Sequence, residues 1–409
     1  MEEATGDQII NSWMKWIRMF KDYDYVVVGA GITGCCISHF LSQESNSILL
    51  IDRNCDVAQG ASGAAGAFLS PLLGKPNKFK DLVTKALKFS TEFYLKNTPD
   101  DIINCGVVRI PKNNKDREKF NSYKPYMDFP FKEEEDGYLF EIGSQVNPYN
   151  ICKTLSGNIE KKFNYEVGEI KKLDDYWLIN NEIKAKNLIL TTGADISLIE
   201  EKYFNIRAVW GQKIDIYSTS CISINYHKEC SLSVSKLDKE KNKNLISIGA
   251  THHRFDCDLK ICNHCVKTAN INRMYTNSYS ESTVNSDTEK LLKLANDIKT
   301  LEDVEVCDIK IGARASSVDY FPMVGKLVNS KNTLKKFPHL INGSHVKDEM
   351  LETIDNLYVI NGVGGRGFVL SPYLSKKLTD EIFKNNFLDS NVKTYRLFKR
   401  WVKKRKESE

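Results

Sequence analysis

One stretch near the start leaves this chain few folding options: Asp24-Tyr-Val-Val-Val-Gly-Ala-Gly-Ile-Thr-Gly34. An unbroken apolar strand runs into Gly29, Gly31 and Gly34, spaced GxGxxG, and is followed by a helical stretch to Leu41 and a second strand, Ser47 to Asp52. Apolar strands joined through a helix read as a parallel βαβ unit. Each glycine has a mechanical reason: Gly29 for a tight turn, Gly31 for close approach of a pyrophosphate, Gly34 for packing of the helix on the strand. Asp52 ends the second strand roughly 20 residues further on, where a carboxylate accepts hydrogen bonds from ribose hydroxyls, and Arg53 stands beside it. The unit predicts dinucleotide binding at a helix N-terminus, which offers amide donors and a positive dipole. NAD and FAD share this fingerprint, so the choice between them must come from elsewhere.

Two further glycine-rich stretches bear on it. Gln59-Gly-Ala-Ser-Gly-Ala-Ala-Gly66, with Ala61, Ser62 and Gly63 at its centre, is small throughout, as though backbone slides against a flat, bulky ligand. Leu357 to Phe368 is another strand into a glycine turn, with Gly364, Gly365 and Gly367 leading to Phe368 and a helix from about Ser371. That is a second helix N-terminus able to stabilise an anionic cofactor group. Gly193 follows the strand ending at Thr191 in a similar way.

The set resembles the FAD-dependent amine oxidases of the D-amino-acid oxidase and glycine oxidase superfamily. The resemblance rests on GxGxxG, Ala61-Ser62-Gly63, Val146-Asn147-Pro148, Thr191 to Ala194, Gly211-Gln212, Gly249 to Thr251, Gly312 to Gly325 and Gly362 to Gly367, in that order. Within the superfamily the chain looks most like the oxidase domain of MnmC-type tRNA wobble-uridine modification enzymes. Ser62 to Leu72, Gly249-Ala250-Thr251 and Arg314 to Gly325 carry that finer match.

The resemblance implies FAD as cofactor, held by Gly29, Gly31, Gly34, Asp52, Arg53, Ala61, Ser62, Gly63, Gly193, Gly364, Gly365, Gly367 and Phe368. It implies an α/β fold: a Rossmann-like FAD-binding domain (22–78, 145–205, 305–390) interleaved with a smaller α+β substrate domain whose sheet is mainly antiparallel (79–144, 206–304). A leading helix (1–21) and a basic C-terminal tail (391–409) flank them. The implied reaction is oxidation of a carbon–nitrogen bond next to a carboxylate: removal of the carboxymethyl group from carboxymethylaminomethyl-uridine in tRNA, giving aminomethyl-uridine. The alternative is an oxidase or dehydrogenase of free glycine, sarcosine or a D-amino acid. A third reading is a flavin-binding scaffold that has lost turnover.

Arg314 stands where related glycine oxidases hold the substrate carboxylate, and Arg366 lies in the second glycine turn. A guanidinium suits that task because it presents a bidentate fork and stays charged. Tyr320, Trp210 and Gln212 are weaker candidates for the substrate side, and an ion pair of Arg314 with Asp319 is the plain structural alternative. Family members are often fused to a methyltransferase domain. Few residues precede the first strand here, so a separate methyltransferase is expected to take the next step.

Composition is that of a globular chain, 41% hydrophobic and 27% charged, without an apolar run of membrane-spanning length, so no membrane role is expected. An odd count of cysteines, 11, suits reduced thiols, and with no signal-peptide pattern at the N-terminus a cytoplasmic location is expected. Cys257, Cys262 and Cys265, near His252, His253 and His264, have spacing that could ligate a metal, but a fourth cysteine close by is missing, and no metal is expected. The net charge of +5 is concentrated in Lys393, Arg396, Lys399, Arg400, Lys403, Lys404, Arg405 and Lys406. With Tyr395, Phe398, Trp401 and Val402 they form an amphipathic segment that either binds tRNA phosphates or ends as a docked or solvated helix. On the phosphate reading, a cut after Ser390 should leave flavin content and melting temperature little changed.

Overall fold

The computed structural model describes residues 21–134, 137–254, 280–386 and 388–406. The strand Lys21–Val28 pairs in parallel with Ile48–Ile51 on one side and with Ile183–Leu190 on the other. Glu160–Lys162 and Thr353–Asn361 extend this parallel arrangement, Met323–Val328 adds an antiparallel partner, and an antiparallel hairpin completes an eight-stranded sheet. Its central strands are buried on both faces, which is why they read as near-continuous Val, Ile and Leu. On one face lie the helices Ile32–Leu41 and Gly367–Lys384, sharing a core with Lys78–Asn97.

A nine-stranded second sheet is antiparallel except where Val107–Arg109 runs parallel to Asn225–His227. Its backbone is the long pair Ile206–Ser218 and Glu305–Ser317, in continuous register from Ile206 against Ser317 to Asp215 against Asp308. Residues 305–317, expected in the FAD-binding segments, are therefore part of this second sheet. The reason lies in pairing: the strand finds its hydrogen bonds on Ile206–Ser218, and the chain crosses back only at Met323.

The C-terminal segment is a docked helix, Tyr395–Lys406. Leu397, Phe398 and Val402 are buried in the core beneath the first sheet, and Phe398 meets Tyr203 edge-on at 5.7 Å. Arg396 clasps Asp319 through two hydrogen bonds of 2.8 and 3.0 Å, and Lys399 pairs with Asp348. The expectation that a cut after Ser390 spares the melting temperature fails on this burial. The apolar positions of the segment go to the core, so its basic residues are held on a fixed helix. The expected leading helix lies outside the described residues.

Candidate active site

A cavity of about 790 Å³ runs from the first glycine turn to the second sheet. At one end Gly29, with φ of +108°, makes the turn, and its N–H donates to Ile51 O at 2.8 Å. A Cβ on Gly34 would stand 1.8 Å from Gly29 O, so only glycine lets the helix start this close to the strand. The helix N-terminus has no acidic residue in its first turn, and Ser62 Oγ accepts from Ile32 N at 2.9 Å. Asp52 accepts from Ala30 N at 2.6 Å and from Asn54 N at 2.8 Å, so its carboxylate anchors the turn as well as lining the cavity. Arg53 is tied to Asp195 at 3.0 Å. Ala61 and Gly193 also line this space, and the latter adopts φ of +65°. Gly63 is tucked against Ala58 O.

The second glycine turn opens on the same cavity through Gly364, Gly365, Arg366, Gly367 and Phe368. Here too the helix N-terminus carries no acid and no side-chain cap. Two helix N-termini without an acidic residue in the first turn line one cavity, which fits a cofactor that is anionic at its pyrophosphate and electron-rich at its ring. The residues present thus fit FAD. Among the described residues no helix is long and apolar enough to cross a membrane, and no group of three His, Cys, Asp or Glu side chains gathers as a metal site. Cys257, Cys262, His264 and Cys265 lie outside the described residues.

The far end is cationic. Arg314 projects from Glu305–Ser317, and its Nη1 donates to Thr251 O at 3.2 Å. Its guanidinium occupies the space above Gly211, where a Cβ would come within 2.6 Å. Asp319, the alternative partner for Arg314, is engaged by Arg396 instead. Arg366 Nη1 donates to Ser70 O at 3.2 Å, and burial pushes its guanidinium down to about 10. Tyr320 lines the cavity, but Trp210 and Gln212 do not. Successive strand residues point to opposite faces. With Gly211 on the cavity side, its neighbours turn away, and Gln212 donates to Thr288 Oγ1 at 2.7 Å.

Several residues outside the quoted motifs complete the site. Arg109 lines the cavity, as do His227 and His252. Burial and then the charges of Arg109 and Arg366 hold His227 well below its usual value, and burial followed by Arg314 pushes His252 down to about 4. Both rings are therefore neutral at pH 7 and add no charge to the arginines. Asp287, buried in the helix Glu281–Asn296, accepts from Thr251 Oγ1 at 2.7 Å and bonds His253 Nε2 at 2.8 Å. It steadies the residue whose carbonyl receives Arg314.

The chain spans between 30% and 59% of the length of the curated relatives it resembles. It is 20% identical over 394 residues to the tRNA 5-methylaminomethyl-2-thiouridine biosynthesis bifunctional protein MnmC of Campylobacter fetus, covering 93% of this chain and 59% of that protein. The protein of the same name from Leptospira interrogans is 26% identical over 391 residues, covering 86% of this chain and 56% of its own length. In three dimensions glycine oxidase from Geobacillus kaustophilus superposes with a TM-score of 0.64 at 15% identity, over 90% of this chain and 96% of that one. That likeness shows a common fold. The FAD dependent oxidoreductase family, DAO, matches residues 24–381, the span that contains both glycine turns and the cationic end between them, and the chain belongs to that family.

Proposed function

We propose that this protein oxidises the carbon–nitrogen bond of an amine next to a carboxylate. We further propose that its substrate is the carboxymethylaminomethyl group of a tRNA uridine, leaving aminomethyl-uridine. The observation that carries the first step is the presence of Arg314 and Arg366 along the cavity that the dinucleotide turn opens. FAD, when bound, accepts the hydride equivalent. The chain's own residues do the rest: Arg314 grips the carboxylate with a planar fork, and nearby guanidinium charges disfavour protonation of the amine, which must be neutral to be oxidised. Neutral His227 and His252 leave that field to the arginines. The imine formed on the substrate takes up water and separates into the aminomethyl product and glyoxylate.

The tRNA reading is supported by the names of the curated relatives and by Arg400, Lys403 and Lys404, exposed on a helix fixed to the fold. A separate methyltransferase would act on the product. Free glycine, sarcosine or a D-amino acid is the competing substrate class. Anaerobic mixing of the FAD-loaded protein with carboxymethylaminomethyl-bearing tRNA, and separately with those amino acids, decides between them. Bleaching of the flavin by tRNA alone is expected. Bleaching by a free amino acid alone would transfer the activity to that class, and bleaching by neither would leave a scaffold.

A further inference from the structure

Arg109 ends the strand Val107–Arg109, in register with His227 on one side and Tyr138 on the other. Its Nη1 donates to Pro71 O at 2.8 Å, and Arg366 Nη1 donates to the adjacent carbonyl, Ser70 O, at 3.2 Å. Two guanidiniums, one from a strand of the second sheet and one from the second glycine turn, thus converge on consecutive residues of one segment. The arginine–carboxylate pairs among the described residues are Arg53–Asp195 and Arg396–Asp319, and neither Arg109 nor Arg366 takes part in them. Arg109 Nε is buried with no hydrogen-bond partner among the described residues. Burial and then the charge of Arg366 push Arg109 down to about 9, an effect that Asp116 opposes. Two like charges held together with no carboxylate in ion-pair contact among the described residues are costly, and an anion between them reduces the cost.

We propose that Arg109 and Arg366 form an anion subsite of the substrate cavity distinct from the carboxylate site at Arg314. The preferred substrate is then a secondary amine with an anionic or strongly electron-rich oxygen group on each side of nitrogen. Arg314 donates to Thr251 O, whereas Arg109 and Arg366 donate to the carbonyls of the 70–71 segment, so the two cationic centres are held by different parts of the chain. The pyrophosphate of FAD has its own donors at the Ile32–Leu41 helix, so it does not require this pair. The inference rests on the amine-oxidation reading above and narrows its substrate class.

Iminodiacetate and sarcosine are suitable probes, since both are secondary amines and differ by one carboxylate. Each is titrated anaerobically into FAD-loaded protein while the visible flavin spectrum is followed, with inorganic phosphate as a third titrant. Iminodiacetate should bind at least tenfold more tightly than sarcosine, and phosphate should compete with iminodiacetate only. Arg109→Met should weaken iminodiacetate by roughly 10- to 100-fold, the loss of a charged hydrogen-bond partner, and sarcosine by much less, with flavin content at the wild-type level. Arg109→Lys should restore part of it, and it replaces the Met variant if that one does not fold. Equal affinity of wild-type protein for the two amines would overturn the proposal. So would an equal loss for both in the variants, or loss of flavin, which would make Arg109 a clamp on the 70–71 segment or on the cofactor. Reduction by tRNA is scored separately, so failure of the tRNA reading leaves this result standing.

Discussion

The two ends of the cavity are built by opposite means. At the dinucleotide end the ligand is met by backbone: a turn at Gly29, a helix start at Gly31 and a carboxylate, Asp52, that braces the turn. At the cationic end it is met by side chains, and Arg109, Arg314 and Arg366 come from three separate segments that meet only when two sheets pack. Recognition by backbone needs a particular local conformation and so writes a local motif. Recognition by side chains needs only that positions converge, and any strand can supply them.

The sharpest way to break this contrast is Gly34→Val. With Gly29 O only 1.8 Å from where Cβ would lie, the turn and helix cannot both keep their places. Flavin stoichiometry of the purified protein should fall more than tenfold, and full flavin occupancy would mean that the dinucleotide end tolerates what its geometry forbids.

Phe398→Ala comes next. The side chain is 1% exposed and packs on Tyr203, so its loss should cost about 3 to 5 kcal/mol, read as a lower urea midpoint. Because Arg396 on the same helix holds Asp319 beside Tyr320, turnover should suffer before flavin binding does. The reverse order would tie the C-terminal helix to the dinucleotide end.

Arg314→Met sharpens the comparison from the other side. Losing a charged hydrogen-bond partner costs roughly 1.5 to 3 kcal/mol, or about 10- to 150-fold in amine turnover, while flavin content stays at the wild-type level. Lysine should recover only part, lacking the planar fork. Normal turnover in the Met variant would move the carboxylate site to Arg366.

The smallest effect concerns His227, whose folded value lies well below its usual one. Between the unfolded value near 6.5 and the depressed folded value, the unfolded chain takes up a proton that the folded protein refuses. Stability should therefore be unaffected above about pH 7 and decline as pH falls below about 6.5. His227→Gln should flatten that acid limb in urea titrations at pH 7.5, 6.5 and 5.5. An unchanged slope would mean that neither burial nor the cationic end holds this ring below its usual value.

The same contrast governs what was legible beforehand. The strand–turn–helix at Asp24 to Leu41 stood out because an unbroken apolar strand running into spaced glycines is a local signal, whatever surrounds it. Asp287 did not: its stretch is rich in Asn, Ser and Thr, although Ser280 caps a helix that begins at Glu281. The cap followed by an acidic first turn was the available signal. Asn114–Tyr123 was hidden likewise, since its polar surface rests on a single buried anchor, Phe120.

Sequence by itself determined the dinucleotide turn, the two glycine-led helix starts and the family, because backbone conformations such as Gly29 at positive φ demand particular residues at fixed spacing. It also singled out Arg314 and Arg366. Only the tertiary structure decided that residues 305–317 join the second sheet, that Gly211 rather than Trp210 or Gln212 faces the cavity, and that the basic tail is docked. It alone brought Arg109 to Arg366, since charges gathered from a strand and a distant turn leave no trace in spacing along the chain.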